Sequence, residues 1–508
     1  MAEFVRNNGW NKNGTFDNED LLWYAMGVRE MQARSLDDAS SWWFFAAIHG
    51  QYVSGLKTFP GWAYIPAPPQ VPVAPVPPKS ITDLYWDQCQ HQSWFFPPWH
   101  RGYLIALEAQ IRAAVVKLGG PKTWALPYWN YLGQGDQYKI PPAFTQQTLP
   151  DGSANPLFLS ARYGPKKDGD VYIPEPPVSG KCQQNTIYSG SNSSTPAPGY
   201  GGPKTGFSNS GQNSGNLENN PHNLVHNYVG GYINDTDYGL MADPGTAALD
   251  PIFYLHHCNI DRMWASWNAG GNCNPTDQNW LKGPAVAGER PFIMPMPGGQ
   301  SWVYTPADVN SLDQLDYQYD SLEAPTAPLV SRKTRRLRKL RVQSEGKVME
   351  DANLNTGANP ELVGANGGAI QLKSSGARTA VKFERGAWKK VPLSLARATE
   401  SRMPDHVYLQ LENVQGTMDA NILSVSVNHK HVGEVSLFGL RKASMKESHH
   451  GGSGLTFLLD ISDVVDELYL DNSLDVDSLD VTILPGNAIT GEQHITIGRV
   501  TIYREAQL

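Results

Sequence analysis

The chain has 508 residues, 40% of them apolar, with 15 Trp, 22 Tyr, 15 Phe and a formal net charge of −8. That length predicts two or three domains with a sizeable core, and the acidic balance argues against nucleic acid or an anionic membrane as partner. No apolar run reaches the roughly 20 residues of a membrane-spanning helix, and four cysteines (Cys89, Cys182, Cys258, Cys273) are too few for a disulfide scaffold. The first ten residues, MAEFVRNNGW, carry neither the basic nor the apolar stretch of a secretory signal. A cytoplasmic protein, or one released or exported with a partner, is therefore expected.

Along the chain, LLWYAMGVREMQ (Leu21–Gln32) has apolar residues at helical spacing, and DASSWWFFAAIHG follows with Asp37 or Asp38 as cap and His49 at its end. PAPPQVPVAPVPP (Pro66–Pro78) predicts an extended polyproline-like loop. RGYLIALEAQIRAAVVKLGG (Arg101–Gly120) predicts an amphipathic helix stopped by its glycines. Residues 180–215, rich in Gly, Ser and Asn, read as a surface excursion. DPIFYLHHCNIDRMWASW (Asp250–Trp267) predicts another helix, with Pro251 in its first turn. The basic run RKTRRLRKLR (Arg332–Arg341) reads as a solvated linker or a protease-sensitive junction. Beyond it HVYLQLENV, ILSVSVNHKHV, LDVTILP and HITIGRVTIYRE alternate apolar and polar residues, the pattern of a β-sandwich. The expected architecture is a mainly α domain over residues 1–325, a four-helix bundle around a dimetal centre with long loops. A basic linker at 326–345 and an all-β, jelly-roll-like sandwich at 346–508 follow.

The histidines carry the chemistry. His222 and His226 stand four apart, one turn along a helix face, and HHCNID adds a third histidine some thirty residues on. His49, His91 and His100 repeat the triplet upstream. Pro97 and Pro98 keep His91 and His100 off one continuous helix, leaving His91 on the incoming loop. A single histidine on an apolar helix is usually a hydrogen-bonded core residue, but two matching triplets imply two metal ions between helix pairs. Neutral imidazoles suit copper, zinc or iron, and spacing does not choose among them. His256 points about 100° around the helix from its neighbour His257, so the two cannot ligate equally; His256 is assigned a supporting role behind the ligands or in the core.

FFPPWHRGYLIALE and DPIFYLHHCNIDRMW resemble the two copper signatures of the coupled binuclear copper proteins, the tyrosinases, catechol oxidases and haemocyanins. The resemblance covers roughly residues 20–320. It implies one copper on His49, His91 and His100 and a second on His222, His226 and His257, with dioxygen as co-substrate and small phenols as substrates. It also implies a thioether from Cys89 to His91, with Cys258 merely packed and Cys182 and Cys273 unassigned. In LENNPHN, it implies that Glu218 and Asn223 hold a water that takes the phenol proton, which favours a tyrosinase over a pure catechol oxidase. Phe96 and the loop Met241–Leu249 are expected to shape the pocket and gate it, and Tyr317-x-Tyr319 to close the domain near Arg6. The tail, in VSVNHKH, DVVDELYL and ITIGRVTIYRE, resembles the C-terminal β-domain of plant-type polyphenol oxidases. That implies a lid over the copper site and a latent enzyme, with Phe438 in SLFGLR as the plug. Help with copper loading through His429 and His431 is the rival role, and no separate caddie protein is expected. A homo-oligomer is compatible with this reading. A catechol oxidase, a haemocyanin-type dioxygen carrier and a zinc hydrolase are the alternatives.

Overall fold

Contacts divide the chain into two units, one of Met1–Ser189, Gly199–Ser210 and Gly215–Pro325, the other of Gly190–Pro198, Gly211–Ser214 and Thr326–Leu508. The structure, a computed structural model, describes residues 3–506 except 51–64, 66–68, 73, 191–197, 209, 234–236, 324–331, 341–359, 400–402, 447–450 and 491–492.

The first unit is built on the helices Glu19–Gln32, Trp42–His49, Phe96–Lys117, Leu224–Gly230 and Ile252–Ala269. Asn18 caps the first by accepting from the Asp20 N–H, with Glu19 and Asp20 at its positive end. Ser41, rather than Asp37 or Asp38, caps the second through the Phe44 N–H. All eight residues of that helix are buried, and a short helix with no polar face is stable only inside a core. Phe96–Lys117 begins with prolines in its first turn, where no backbone donor is lost, and this sets His100 one turn beyond Phe96. Gly27 lets the first helix press onto Phe96–Lys117, because a Cβ there would stand 2.6 Å from Ile111.

The strand Phe4–Arg6 pairs in parallel with Tyr317–Tyr319, Arg6 opposite Tyr319. Buried Arg6 bonds Glu108 at 2.8 Å and Asp261 at 3.3 Å, and its guanidinium lies 3.6 Å over the Tyr317 ring. The beginning and end of the unit are thus tied to the helix that carries His257.

Several described residues of the segment 180–215 are not on the surface as its composition suggests. Tyr188, Tyr200, Ser208 and Ser210 are buried. The Ser208 carbonyl accepts from the His91 N–H at 2.9 Å, and the Pro203 carbonyl from that of Trp94 at 2.9 Å. Glycine and serine serve there to let backbone approach backbone. Of Pro66–Pro78, the described residues before the helix Lys79–Tyr85 have no regular structure.

Among the described residues, the second unit holds one antiparallel sheet of nine strands. Its spatial order is Lys430–Ser436, Ile422–Val427, Ser478–Pro485, Ala377–Phe383, Glu361–Ala365, Ile495–Glu505, His406–Gly416 and Leu455–Asp460, with Ile370–Leu372 also on Ile495–Glu505. Ile422–Val427 alternates half-buried and buried residues along its length, as period-2 patterning requires. The two end strands approach one another, a Cβ on Gly433 standing 3.3 Å from Leu459. The faces expected of a sandwich are therefore one sheet rolled nearly closed, which leaves little unpaired edge.

The basic run departs from the solvated linker expected of it. Arg332–Lys339 is a helix, and Arg336 within it is buried against Asp466, at 2.7 and 2.8 Å, while donating to the Pro404 and Asp405 carbonyls. Lys339 reaches Glu467 at 2.5 Å. Complementary charge on the helix Ser462–Leu470 captures Arg336 and Lys339, while Arg335 and Arg338 are exposed as a solvated run requires. The flanking residues 324–331 and 341–359 lie outside the described residues.

Candidate metal centre

His222, His226 and His257 meet at their Nε2 atoms. The three separations are 3.1 Å (His222 to His226) and 3.3 Å (His257 to each of the others). The ring orientations are set from behind: His222 Nδ1 lies 2.8 Å from Asn223 Oδ1, and His226 Nδ1 lies 2.9 Å from the Met241 carbonyl. An imidazole that donates through Nδ1 leaves Nε2 as a bare lone pair. Burial pushes the His222 imidazole down to about 3 and those of His226 and His257 well below their ordinary value, with His222 adding to the depression of His226 and His100 to that of His257. Neutral rings with converging lone pairs repel one another unless a cation lies between them. Three nitrogens at about 2.0–2.1 Å from one ion stand roughly this far apart, so the trio fits a single metal.

The second group is His49, His91 and His100 with Cys89, all buried, with one candidate ligand atom from each within 4.8 Å of the others. His49 Nδ1 faces the Pro244 carbonyl at 3.0 Å and His100 Nδ1 the Phe96 carbonyl at 2.8 Å, which turns both Nε2 atoms inward. The two groups adjoin, since His100 and His257 stack at 4.5 Å and 15°. Cys89 Sγ lies 3.5 Å from His91 Nε2 and 3.9 Å from Nδ1, and so faces the edge whose middle atom is Cε1. It is also 3.3 Å from His100 Nε2.

His256 lies within the same cluster by distance, yet its ring stacks over His222 at 5.3 Å and 25°. Neither of its ring nitrogens has a hydrogen-bond partner in the protein.

Glu218 is fully buried and both its oxygens are 3.0 Å from the Gln92 N–H, with Gln92 Nε2 3.3 Å from Oε1. Burial pushes its carboxyl up to about 8, against the opposing hydrogen bonds from Gln92 and Gly215.

Phe96 is fully buried, with its ring 4.4 Å from that of His100 and 4.8 Å from that of His222. The loop Met241–Leu249 supplies the carbonyls that orient His226 and His49, and its Met241, Ala248 and Leu249 are buried. Cys258 is packed against the Leu126 carbonyl, Cys182 is buried and Cys273 exposed, and none of the four cysteines is in a disulfide. His429 and His431 are exposed, and among the described residues the metal-competent groups are the two above. Phe438 is buried.

Sequence reasoning missed Gln92, Phe253 and the two carbonyls. Phe253, whose ring is 4.1 Å from that of His257 and 4.8 Å from that of His49, stands one turn before His257 and could have been found by helical spacing. Gln92 and the carbonyls leave no sequence signal.

The family described as the common central domain of tyrosinase matches residues 39–270, and one described only as a domain of unknown function matches 359–505. A tyrosinase of Hahella sp. (strain CCB-MM4) is 29% identical over 510 residues, 96% of this chain and 97% of that protein. Aureusidin synthase of Antirrhinum majus is 31% identical over 195 residues, which are 37% of this chain and 34% of its own length. Among solved structures, latent apple tyrosinase superposes with a TM-score of 0.56 at 20% identity, covering 100% of this chain and 98% of that one. A recombinant latent aurone synthase does so at 0.58 and 19%, covering 99% and 91%. These structural likenesses concern the fold.

Proposed function

The chain belongs to the tyrosinase and polyphenol oxidase family, and we propose that within it the protein hydroxylates monophenols ortho to their hydroxyl and oxidises the resulting o-diphenols to o-quinones. Its two histidine groups fit a binuclear copper site. In this reading His49, His91 and His100 hold one ion and His222, His226 and His257 the other. When bound, the copper pair supplies dioxygen binding and the electrons that pass between dioxygen and the phenol.

What the chain itself adds is a base. A monophenol must lose its proton near neutral pH before its ring is attacked, and a group working there needs a matched pKa. Buried Glu218, held by the Gln92 N–H and side-chain amide directly after His91, is the observation that carries the choice of tyrosinase over catechol oxidase. It takes the phenol proton through a water, and the phenolate oxygen is left to the metal side of the pocket. Asn223 contributes by holding the His222 ring through Oδ1. Glu218→Gln keeps the shape and removes the basicity. It is expected to lower monophenol hydroxylation by roughly 100-fold, within the range of a lost general base, and catechol oxidation far less. Equal loss of both activities at full copper would argue against a proton role for Glu218.

The Cys89 sulfur facing the Cε1 edge of His91 supports a thioether there, formed with loss of one hydrogen from each partner to dioxygen. The peptide spanning both residues should then be two hydrogens lighter in copper-replete protein than in protein made without copper. Identical masses would end that assignment.

An enzyme held inactive by its second unit is part of this proposal, as the solved relatives of like fold are described as latent forms; buried Phe438 is proposed as the plug. Activity measured before and after limited proteolysis tests this, and an uncleaved chain as active as the cleaved one would refute it. Small phenols as substrates, a cytoplasmic setting and copper loading without a caddie protein complete the proposal. No helix among the described residues is long and apolar enough to cross a membrane.

A further inference from the structure

We propose that Gln92 is a positioning residue for phenol hydroxylation, holding the Glu218 carboxylate against the segment that carries His91. This rests on the reading of Glu218 given above and names the residue that makes it work.

Gln92 directly follows His91, and its backbone is left-handed, with φ of 51°. That conformation is unfavourable for an L-residue and persists only where the surroundings dictate it. Here it aims the Gln92 N–H at both Glu218 oxygens, 3.0 Å from each, and brings the side-chain amide to 3.3 Å from Oε1. Gln92 and Glu218 are both buried. Among the described residues no cation pairs with Glu218; its donors are Gln92 and the Gly215 backbone.

The Gln92 carboxamide and N–H donate without carrying charge, so the carboxylate is fixed in place by neutral groups alone. Because the same residue is bonded to His91 through the chain, the base keeps a set distance from the metal group on that side. Proton transfer is sensitive to such distances, since donor and acceptor must lie within about 2.6–3.2 Å or be bridged by one water.

The test uses the full-length, copper-loaded chain. Gln92→Gly keeps the N–H and takes up a positive φ without strain, so it removes the amide alone. Monophenol hydroxylation is expected to fall about tenfold more than catechol oxidation, through kcat rather than KM, with copper content unchanged, as loss of one hydrogen bond to a charged group implies. Should Gln92→Gly load copper poorly, Gln92→Leu, which keeps side-chain bulk without donors, is read by the same ratio. Wild-type proportions of the two activities, or equal loss of both at full copper, would overturn the proposal. Glu218→Gln measured alongside separates the two layers. If it is selective for hydroxylation and the Gln92 variant is not, Gln92 loses its role and Glu218 keeps its own. If Glu218→Gln lowers both activities alike, the reading of Glu218 falls and this inference falls with it.

Discussion

His257→Ala is expected to bind about one copper per chain instead of two and to lose catechol oxidation by more than about 100-fold, beyond the cost of losing a partner that merely orients a ligand. The reason lies in the geometry of the trio. His257 Nε2 is 3.3 Å from both His222 Nε2 and His226 Nε2, so its loss leaves two nitrogens and an open face. Its ring also stacks on His100 of the other group, so the damage reaches the second ion's ligands. The adjacent residue provides the control. His256→Leu removes two buried nitrogens that have no protein partner and substitutes an apolar side chain of similar size, a change that is close to neutral. It should retain two coppers. Metal analysis of the two variants decides the matter: two coppers in His257→Ala, or one in His256→Leu, would reverse the assignment between these neighbours.

Asp261→Asn should destabilise the first unit by about 3–5 kcal/mol, the cost of leaving buried positive charge without its counter-charge. Asp261 accepts from Arg101 at 2.5 Å, Arg6 at 3.3 Å, Tyr317 at 2.6 Å and Tyr319 at 2.5 Å, all of them buried. Burial pushes its carboxyl up, but the guanidinium charges of Arg101 and Arg6 and the two phenol hydrogen bonds outweigh that and hold it below its ordinary value of 3.8. The sign of the pH dependence follows. The unfolded chain binds this proton more readily than the folded one, so the stabilisation is complete above the ordinary carboxylate range. It is lost as pH falls through the lower folded value. Acid should therefore loosen the wild-type helix Ile252–Ala269 below about pH 4, and the variant should lack that acid limb while being weaker at neutral pH. Hydrogen exchange across residues 252–269 as a function of pH measures both effects. Unchanged protection in Asp261→Asn at neutral pH would show that the network does not hold this helix.

Much of the site was legible before any coordinates. A four-residue spacing sets His222 and His226 on one face of any helix, whatever surrounds it, and Pro97–Pro98 separates His91 from His100 by backbone chemistry alone. The alternation in Ile422–Val427 and Ser478–Pro485 likewise requires a one-sided sheet. These are local properties, written in side-chain periodicity and in the missing proline N–H.

Other features were settled by tertiary structure. Composition marked 180–215 as surface, yet its small residues permit the close approach by which the Ser208 carbonyl holds His91. Charge marked Arg332–Arg341 as solvated, yet Asp466, more than a hundred residues on, captures Arg336. The Met241 and Pro244 carbonyls orient two histidines, and any residue type could have supplied them, because backbone oxygens are the same in every residue. Gln92 meets Glu218 across 126 positions through a left-handed backbone that its side chain does not advertise. By itself, then, the sequence determined which side chains could bind metal and where the main helices and the alternating strands would lie, since both depend on residue type and short-range spacing. Which nitrogen of each ring faces inward, where the base is hung and what covers the basic run were decided only when distant backbone and charge came together, because partners at long separation leave no periodic trace.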